Sequence, residues 1–222
     1  MKYLTWLRPF FFFLNRAKRD ERLEIVRDIH ELDFRGIVVW VTDIENTLAA
    51  RGASQVSDEV YRTFQRAHRE GVRFVVLLTN KKFKFEQSGD FWPMVNQLQK
   101  VGFEAVFLQQ PGKGWWPPQA FNKWPRKPWK SCFRQAAKLA TSNLHSWEYA
   151  SSSILATGDK LRFDVLRPLR LGWYAALVNP LGSDGKGDKF MQIRNIENLT
   201  LRLWGMERAE DLFPFEDVRP HG

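Results

Sequence analysis

The sequence is poor in cysteine and has no long hydrophobic run. Cys132 is the single cysteine among 222 residues, so an internal disulfide and a cysteine-based zinc site are excluded, and a reducing compartment is expected. A membrane-spanning helix needs about 20 consecutive apolar residues, whereas the nearest candidate, Pro9 to Leu14, is six residues long. These absences predict a cytoplasmic protein that is soluble or peripheral to the inner face of a membrane.

Positive charge and tryptophan are both abundant. Lys and Arg number 34 against 25 Asp and Glu, which gives a formal net charge of +9, and ten residues are Trp. Such an excess favours an anionic partner, which is a nucleic acid, an acidic lipid surface or a phosphorylated substrate. Apolar residues make up 44% of the chain, which is enough for one sizeable core.

Short apolar runs alternate with helical patterns along the chain. Strands are predicted at 36–42, 72–79, 104–108, 153–157 and 173–178, and helices at 58–70, 93–101, 128–139, 163–171 and 189–204. This alternation is typical of a parallel sheet with helices on both faces. The predicted fold class is therefore α/β.

One domain is predicted, with an addition at each end. Residues 25–205 form the domain, which contains a Trp-rich loop insertion at 109–127. A basic aromatic arm, 1–24, precedes the domain, and a tail, 206–222, follows it.

Reactive side chains follow the predicted strands, at the sheet edge where α/β proteins bind ligands. They are Asp43 and Glu45, then Thr79 and Asn80, then Asp159 and Asp164, with Lys127 before the helix at 128–139. Clustered carboxylates repel one another unless a hard divalent cation lies among them, and Mg²⁺ favours carboxylates together with phosphate oxygens. A carboxylate in such a site can attack phosphorus and form an aspartyl-phosphate. The pattern thus predicts phosphoryl chemistry with Mg²⁺.

Four of these stretches resemble the motifs of the haloacid dehalogenase (HAD) superfamily. They are Asp43 through Leu48, Leu77 through Asn80, Lys127-Pro128, and Gly158-Asp159 through Asp164. Residues 25–36, 127–134 and 158–174 are more closely similar to its YqeG-like branch, which is related to phosphatidylglycerophosphate phosphatases. The resemblance covers residues 25–205 and implies a Rossmann-like core. Because 46–57 and 109–127 are too short for a folded cap domain, it implies an open, capless site.

The resemblance also implies a role for each matching residue. Asp43 matches the nucleophile, and Glu45 stands where the family has an Asp that acts as general acid and then as base. Thr79, Asn80 and Lys127 match the phosphate-binding positions. The implied metal ligands are Asp43, Glu45, Asp159 and Asp164.

Basic and aromatic residues in the loops near this edge form a second pattern. We name it the basic aromatic rim, and it comprises Lys81, Lys82, Lys84, Trp115, Trp116, Trp124 and Trp129. Trp favours the headgroup zone of a bilayer, and each cationic side chain near an anionic surface contributes about 1 kcal/mol. The rim predicts peripheral contact with an anionic membrane and a phospholipid phosphate substrate, such as phosphatidylglycerophosphate.

Two other functions fit parts of the sequence. The longer side chain of Glu45 allows a catalytically weakened domain that serves as a binding or scaffold subunit for a protein partner. Basic and aromatic residues together also suit a nucleic-acid binder or a nucleic-acid end-processing phosphatase. The acids at the strand ends argue against nucleic acid, because without metal they would repel a phosphate backbone.

Overall fold

A six-stranded parallel sheet forms the centre of the fold. The computed structural model of the chain describes residues 21–50, 53–79, 91–109, 130–142, 151–179 and 181. The strands are β1 (Leu23–Val26), β2 (Val39–Asp43), β3 (Phe74–Leu78), β4 (Ala105–Gln109), β5 (Ile154–Gly158) and β6 (Tyr174–Val178). The helices are α1 (Asp58–Arg69), α2 (Trp92–Gln99), α3 (Lys130–Ser142) and α4 (Leu166–Arg170), and a π-helical turn, Leu161–Val165, leads into α4.

The strand order reverses direction at the middle of the sheet. The order is β1-β6-β5-β2-β3-β4. From β2 the chain moves outward to β3 and β4, and then returns to β5 on the other side of β2. In parallel α/β sheets such a reversal opens a ligand crevice outside the carboxyl ends of the two strands. Here those strands are β2 and β5, in which Thr42 lies opposite Thr157.

Local sequence explains why the elements on either side of this crevice form. All five residues of β2 and all five of β5 are buried, as expected for strands covered on both faces. Helix α1 begins after Ser57, whose hydroxyl accepts a hydrogen bond from the N–H of Val60 at 3.3 Å. Gly71 follows the helix with a φ of 111°, a left-handed conformation that other residues rarely adopt.

Two apolar clusters cover the two faces of the sheet. On one face, Phe64 of α1 and Leu98 of α2 pack with Trp40 of β2. The Trp40 ring is fully buried, with its centroid 4.3 Å from that of Phe64. On the other face, Phe133 of α3 packs with Val41 of β2. Helices on both faces confirm the predicted α/β, Rossmann-like fold class.

Most predicted elements are present with shifted bounds. Strand β1, which pairs with β6, was not predicted, and it straddles the proposed boundary between the arm and the domain at residue 24. The helix predicted at 163–171 begins earlier, with the π-helical turn at Leu161. The predicted helix at 189–204, the Trp-rich loop beyond residue 109, and the tail lie outside the described residues. Within the described ranges, no helix has the length and apolarity needed to cross a bilayer.

Candidate active site

Three buried carboxylates meet at the crevice between β2 and β5. Asp43 is the last residue of β2, Asp159 directly follows β5, and Asp164 lies in the π-helical turn. Each offers a carboxylate oxygen within 4.8 Å of the other two. We call these three side chains, which belong to the larger set predicted at this edge, the acid cluster.

The turn after β5 holds Asp164 against the strand end. The N–H of Asp164 donates to the carbonyl of Lys160 at 2.9 Å, and the N–H of Lys160 donates to Oδ2 of Asp164 at 3.2 Å. The Asp164 side chain lies directly over Gly158, where an added Cβ would be only 2.6 Å from Oδ2. Glycine is thus required at position 158 by the close approach of a carboxylate.

Lys160 is a cation bound to this cluster. Its Nζ donates to both oxygens of Asp159, at 2.8 and 2.9 Å. The Asp159 side chain has no exposed surface, whereas that of Lys160 is 17% exposed. Burial alone would lower the pKa of Lys160, but attraction by Asp159, Asp164 and Asp43 outweighs it and raises the pKa above its usual value. The lysine therefore carries a positive charge beside the acids.

A chain of buried hydroxyl groups fixes β2 to β5 beside the cluster. The indole N–H of Trp40 donates to Oγ1 of Thr157 at 3.0 Å, and this hydroxyl donates to Oγ1 of Thr42 at 2.8 Å. The Thr42 hydroxyl in turn donates to the backbone carbonyl of Asp43 at 3.0 Å. The hydrogen bonds run from the apolar core to the residue that carries the Asp43 carboxylate, and so help to hold its backbone in place.

The loop after Asp43 folds back in a tight turn. The N–H groups of Leu48 and Ala49 both donate to the carbonyl of Ile44, at 3.0 and 3.1 Å, and Asn46 adopts a φ of 64°. Glu45 is half-buried in this turn. It is not among the three carboxylates of the acid cluster, so its roles as acid, base and metal ligand stay predictions.

Of the predicted phosphate-binding residues, the structure describes Thr79 alone. Thr79 is buried and directly follows β3, one residue past Leu78, the register partner of Asp43. It therefore lies at the expected edge of the sheet, on the strand next to Asp43. Asn80, Lys127 and every residue of the basic aromatic rim lie outside the described residues.

Two features of the site were missed by the sequence reasoning. Lys160 was given no role in the predicted site, yet it binds a member of the acid cluster. The Thr42–Thr157 pair forms because β2 and β5 are adjacent in the sheet, and the predicted element order did not specify which strands are adjacent. For Lys160 a signal existed, because a lysine directly after a strand-end Asp is placed to neutralise it.

The donor set suits Mg²⁺. A hard cation of this kind binds one or two carboxylates together with water and phosphate oxygens. The three buried carboxylates each offer an oxygen within 4.8 Å of the other two, so they provide such ligands. Gly158 makes room for Asp164 within this set. The residues present therefore fit the metal that the HAD resemblance implies.

Comparisons with known proteins add only distant likenesses. The chain matches no protein-family model and no curated protein. A haloacid dehalogenase-like family hydrolase from Brucella suis has a similar structure, with a TM-score of 0.45 and 12% identity over 71% of this chain and 93% of that one. An uncharacterized protein from Listeria monocytogenes gives a TM-score of 0.40 and 12% identity over 68% of this chain and 85% of that one. Neither likeness assigns a function to this chain.

Fold and site together nevertheless define a class of protein. The chain is an α/β protein with a parallel sheet, and a buried acid cluster lies at the carboxyl ends of its two central strands. Such a cluster suits metal-assisted chemistry on an anionic group.

Proposed function

We propose that this protein is a Mg²⁺-dependent phosphomonoester hydrolase of the HAD type, with Asp43 as its nucleophile. The observation that carries the proposal is the acid cluster, in which Asp43, Asp159 and Asp164 come together from separate parts of the chain at the crevice between β2 and β5. The order and spacing of the four HAD-like motifs support the same reaction.

Accessibility favours Asp43 over the other two acids as nucleophile. Asp43 is 7% exposed, whereas Asp159 and Asp164 are each 2% exposed. Asp43 is the last residue of β2, at the edge of the sheet where α/β proteins bind ligands.

The proposed reaction has two displacements at phosphorus. In the first, an Oδ of Asp43 forms a bond to phosphorus while the bond to the leaving oxygen breaks, and Glu45 donates a proton to that oxygen. In the second, Glu45 accepts a proton from water as the water oxygen attacks phosphorus, which frees inorganic phosphate and restores the Asp43 carboxylate. Thr79 and Lys127 bind the phosphoryl oxygens.

The acid cluster holds Mg²⁺ through Asp43, Asp159 and Asp164. When bound, the ion offsets the negative charge that carboxylates and phosphate bring together. Asp159 and Asp164 need not touch the substrate for this, because they act by holding the cation beside Asp43.

The preferred substrate in this proposal is a phosphomonoester of an anionic phospholipid, with phosphatidylglycerophosphate as the candidate. The net charge of +9 and ten Trp residues support an anionic, interfacial substrate, because cationic and Trp side chains together favour a charged bilayer surface. The basic aromatic rim is the surface proposed to meet the lipid, and the protein then acts as a peripheral membrane enzyme at the inner face.

The test is phosphate release from an aryl phosphate and from phosphatidylglycerophosphate in mixed micelles, each with Mg²⁺ or with EDTA. Wild type is expected to release phosphate only with Mg²⁺. Asp43→Asn is expected to lose roughly 10³-fold or more, because removing a covalent nucleophile abolishes most of the rate. Asp33→Asn, the same change near the amino ends of the strands, serves as the matched control and should retain wild-type activity.

The two substrates separate the reaction from its specificity. A higher kcat/KM for the lipid than for the aryl phosphate would support the phospholipid assignment, and the reverse would contradict it while leaving the phosphatase intact. No release of phosphate by folded protein with Mg²⁺ would contradict the enzyme itself and favour the scaffold alternative.

A further inference from the structure

We propose that the Lys160 ammonium is a built-in counter-ion of the acid cluster, which a divalent cation displaces when it binds. The lysine would then set the metal affinity of the site and stabilise the protein when metal is scarce. This inference rests on the proposed function, because it concerns the same metal site.

The geometry shows Lys160 in the place of a bound cation. Its Nζ lies 2.8 and 2.9 Å from the two oxygens of Asp159, so both oxygens of that carboxylate are engaged by one ammonium. The Asp159 side chain is completely buried. Burial of a charged carboxylate without a partner costs a large amount of free energy. The ion pair with Lys160 offsets that cost.

A metal ion at Asp159 conflicts with this arrangement. Mg²⁺ binds carboxylate oxygen at about 2.0–2.1 Å, so an ion on Asp159 must take at least one oxygen that the ammonium now uses. Two cations held by the same buried carboxylate also repel each other strongly, because the surrounding protein screens charge poorly. The ammonium therefore has to leave when the metal arrives.

The local fold lets the side chain move without the backbone. The backbone of Lys160 is fixed by its two hydrogen bonds with Asp164, at 2.9 and 3.2 Å. The side chain itself is 17% exposed, and a lysine has four methylene groups about which it can rotate. Rotation can bring the ammonium to solvent while Asp164 keeps its place over Gly158.

Calorimetric titration with MgCl₂ tests the inference on wild type, Lys160→Met and Lys100→Met. Met keeps most of the length and the apolar, unbranched stem of the lysine but not its charge. Lys100 is exposed at the C-terminal end of α2, so its variant controls for the change in net charge. If the ammonium occupies the cluster about nine-tenths of the time, its removal lowers the apparent dissociation constant of Mg²⁺ about tenfold.

The same displacement predicts an effect on stability. In EDTA, Lys160→Met should melt at a lower temperature than wild type, because the three buried acids lose the positive charge of the Lys160 ammonium. Saturating Mg²⁺ should raise its melting temperature more than that of wild type, since tighter binding to the folded state gives a larger shift. Lys100→Met should behave as wild type in both conditions.

Lysine methylation of the wild type covers the case in which Lys160→Met fails to fold. The protein is treated with formaldehyde and cyanoborohydride, and the methylation of each lysine is followed by peptide mass spectrometry. Lys160 should be methylated several-fold faster in Mg²⁺ than in EDTA. Lys100 should react equally in both.

The outcomes separate this inference from the proposed function. If wild type binds Mg²⁺ but Lys160→Met binds it more weakly, or if Lys160 reacts no faster with Mg²⁺ present, the lysine is a fixed support of Asp159 and the inference is wrong. If wild type binds no Mg²⁺, both the inference and the proposed metal site are wrong.

Discussion

Replacement of Gly158 by alanine is the sharpest structural test of how the acid cluster is held. A Cβ at this position would lie 2.6 Å from Oδ2 of Asp164 and closer still to its Cβ and Cγ. The obstacle is the base of a side chain, not its far end, so Asp164 cannot turn aside without moving the π-helical turn. The carboxylate must leave its place in the cluster.

The expected cost can be estimated from opposing terms. Overpacking a close-packed interior costs about 1–3 kcal/mol, while alanine lowers the entropy of the unfolded chain and returns about 0.4–1 kcal/mol. Because the contact is so short, we expect the overpacking cost to lie in the upper part of its range, so that the free energy of unfolding falls by roughly 2 kcal/mol in all. For a chain of this size that corresponds to a fall in Tm of about 4–8 °C.

The assay combines thermal unfolding in EDTA with calorimetric titration of MgCl₂. Gly158→Ala should unfold earlier and bind Mg²⁺ at least about tenfold more weakly, since one of three ligands is displaced. Gly36→Ala is the control, because Gly36 has a φ of 76° and nothing within 4 Å of an added Cβ. It should lose about 1–2 kcal/mol through backbone strain alone and keep wild-type metal binding. Unchanged stability and metal affinity in Gly158→Ala would refute the reasoning.

Three further predictions concern single interactions. Thr157→Val should lower the free energy of unfolding in urea by about 1–3 kcal/mol, because the Trp40 indole N–H loses its buried acceptor. Thr157→Ser, which keeps the hydroxyl, should retain most of the stability. Equal losses in the two variants would contradict the prediction. The hydrogen bond from Arg35 holds the pKa of Asp33 at about 2, below its usual 3.8. Since the Asp33 side chain is 46% exposed, Asp33→Asn should cost less than about 1 kcal/mol at pH 7. That difference should be present above pH 4 and vanish as the pH falls to about 2; a difference that persists there would contradict the assignment. Asn46, with its φ of 64°, should tolerate glycine but lose about 1 kcal/mol on replacement by alanine, as measured by thermal unfolding, and an alanine variant as stable as wild type would count against this.

The central strands and the acid cluster could be predicted because their signals are local. Buried parallel strands are continuous apolar runs, and β2 and β5 both have this form. Once two such strands end in Asp43 and in Gly158-Asp159, the parallel arrangement itself brings the acids to one edge. The cluster thus depends on sequence features only a few residues long.

The features that were missed depend on contacts between distant segments. Strand β1 has only four residues, of which Val26 alone is fully buried, so no apolar run marks it. Its pairing with β6 joins residues about 150 positions apart. The hydroxyl chain from Trp40 to Thr42 likewise needs Thr157 as its middle member, and no pattern along one segment predicts a bond across the sheet.

Identification of the phosphorylated residue tests the central claim most directly. Wild type would be acid-quenched during turnover of an aryl phosphate with Mg²⁺, reduced with borohydride to convert an aspartyl-phosphate to homoserine, and analysed by peptide mass spectrometry. We predict homoserine at position 43, absent when Mg²⁺ is replaced by EDTA. Turnover of the substrate with Asp43 unmodified, or with the label on Asp159, Asp164 or another residue, would contradict the account.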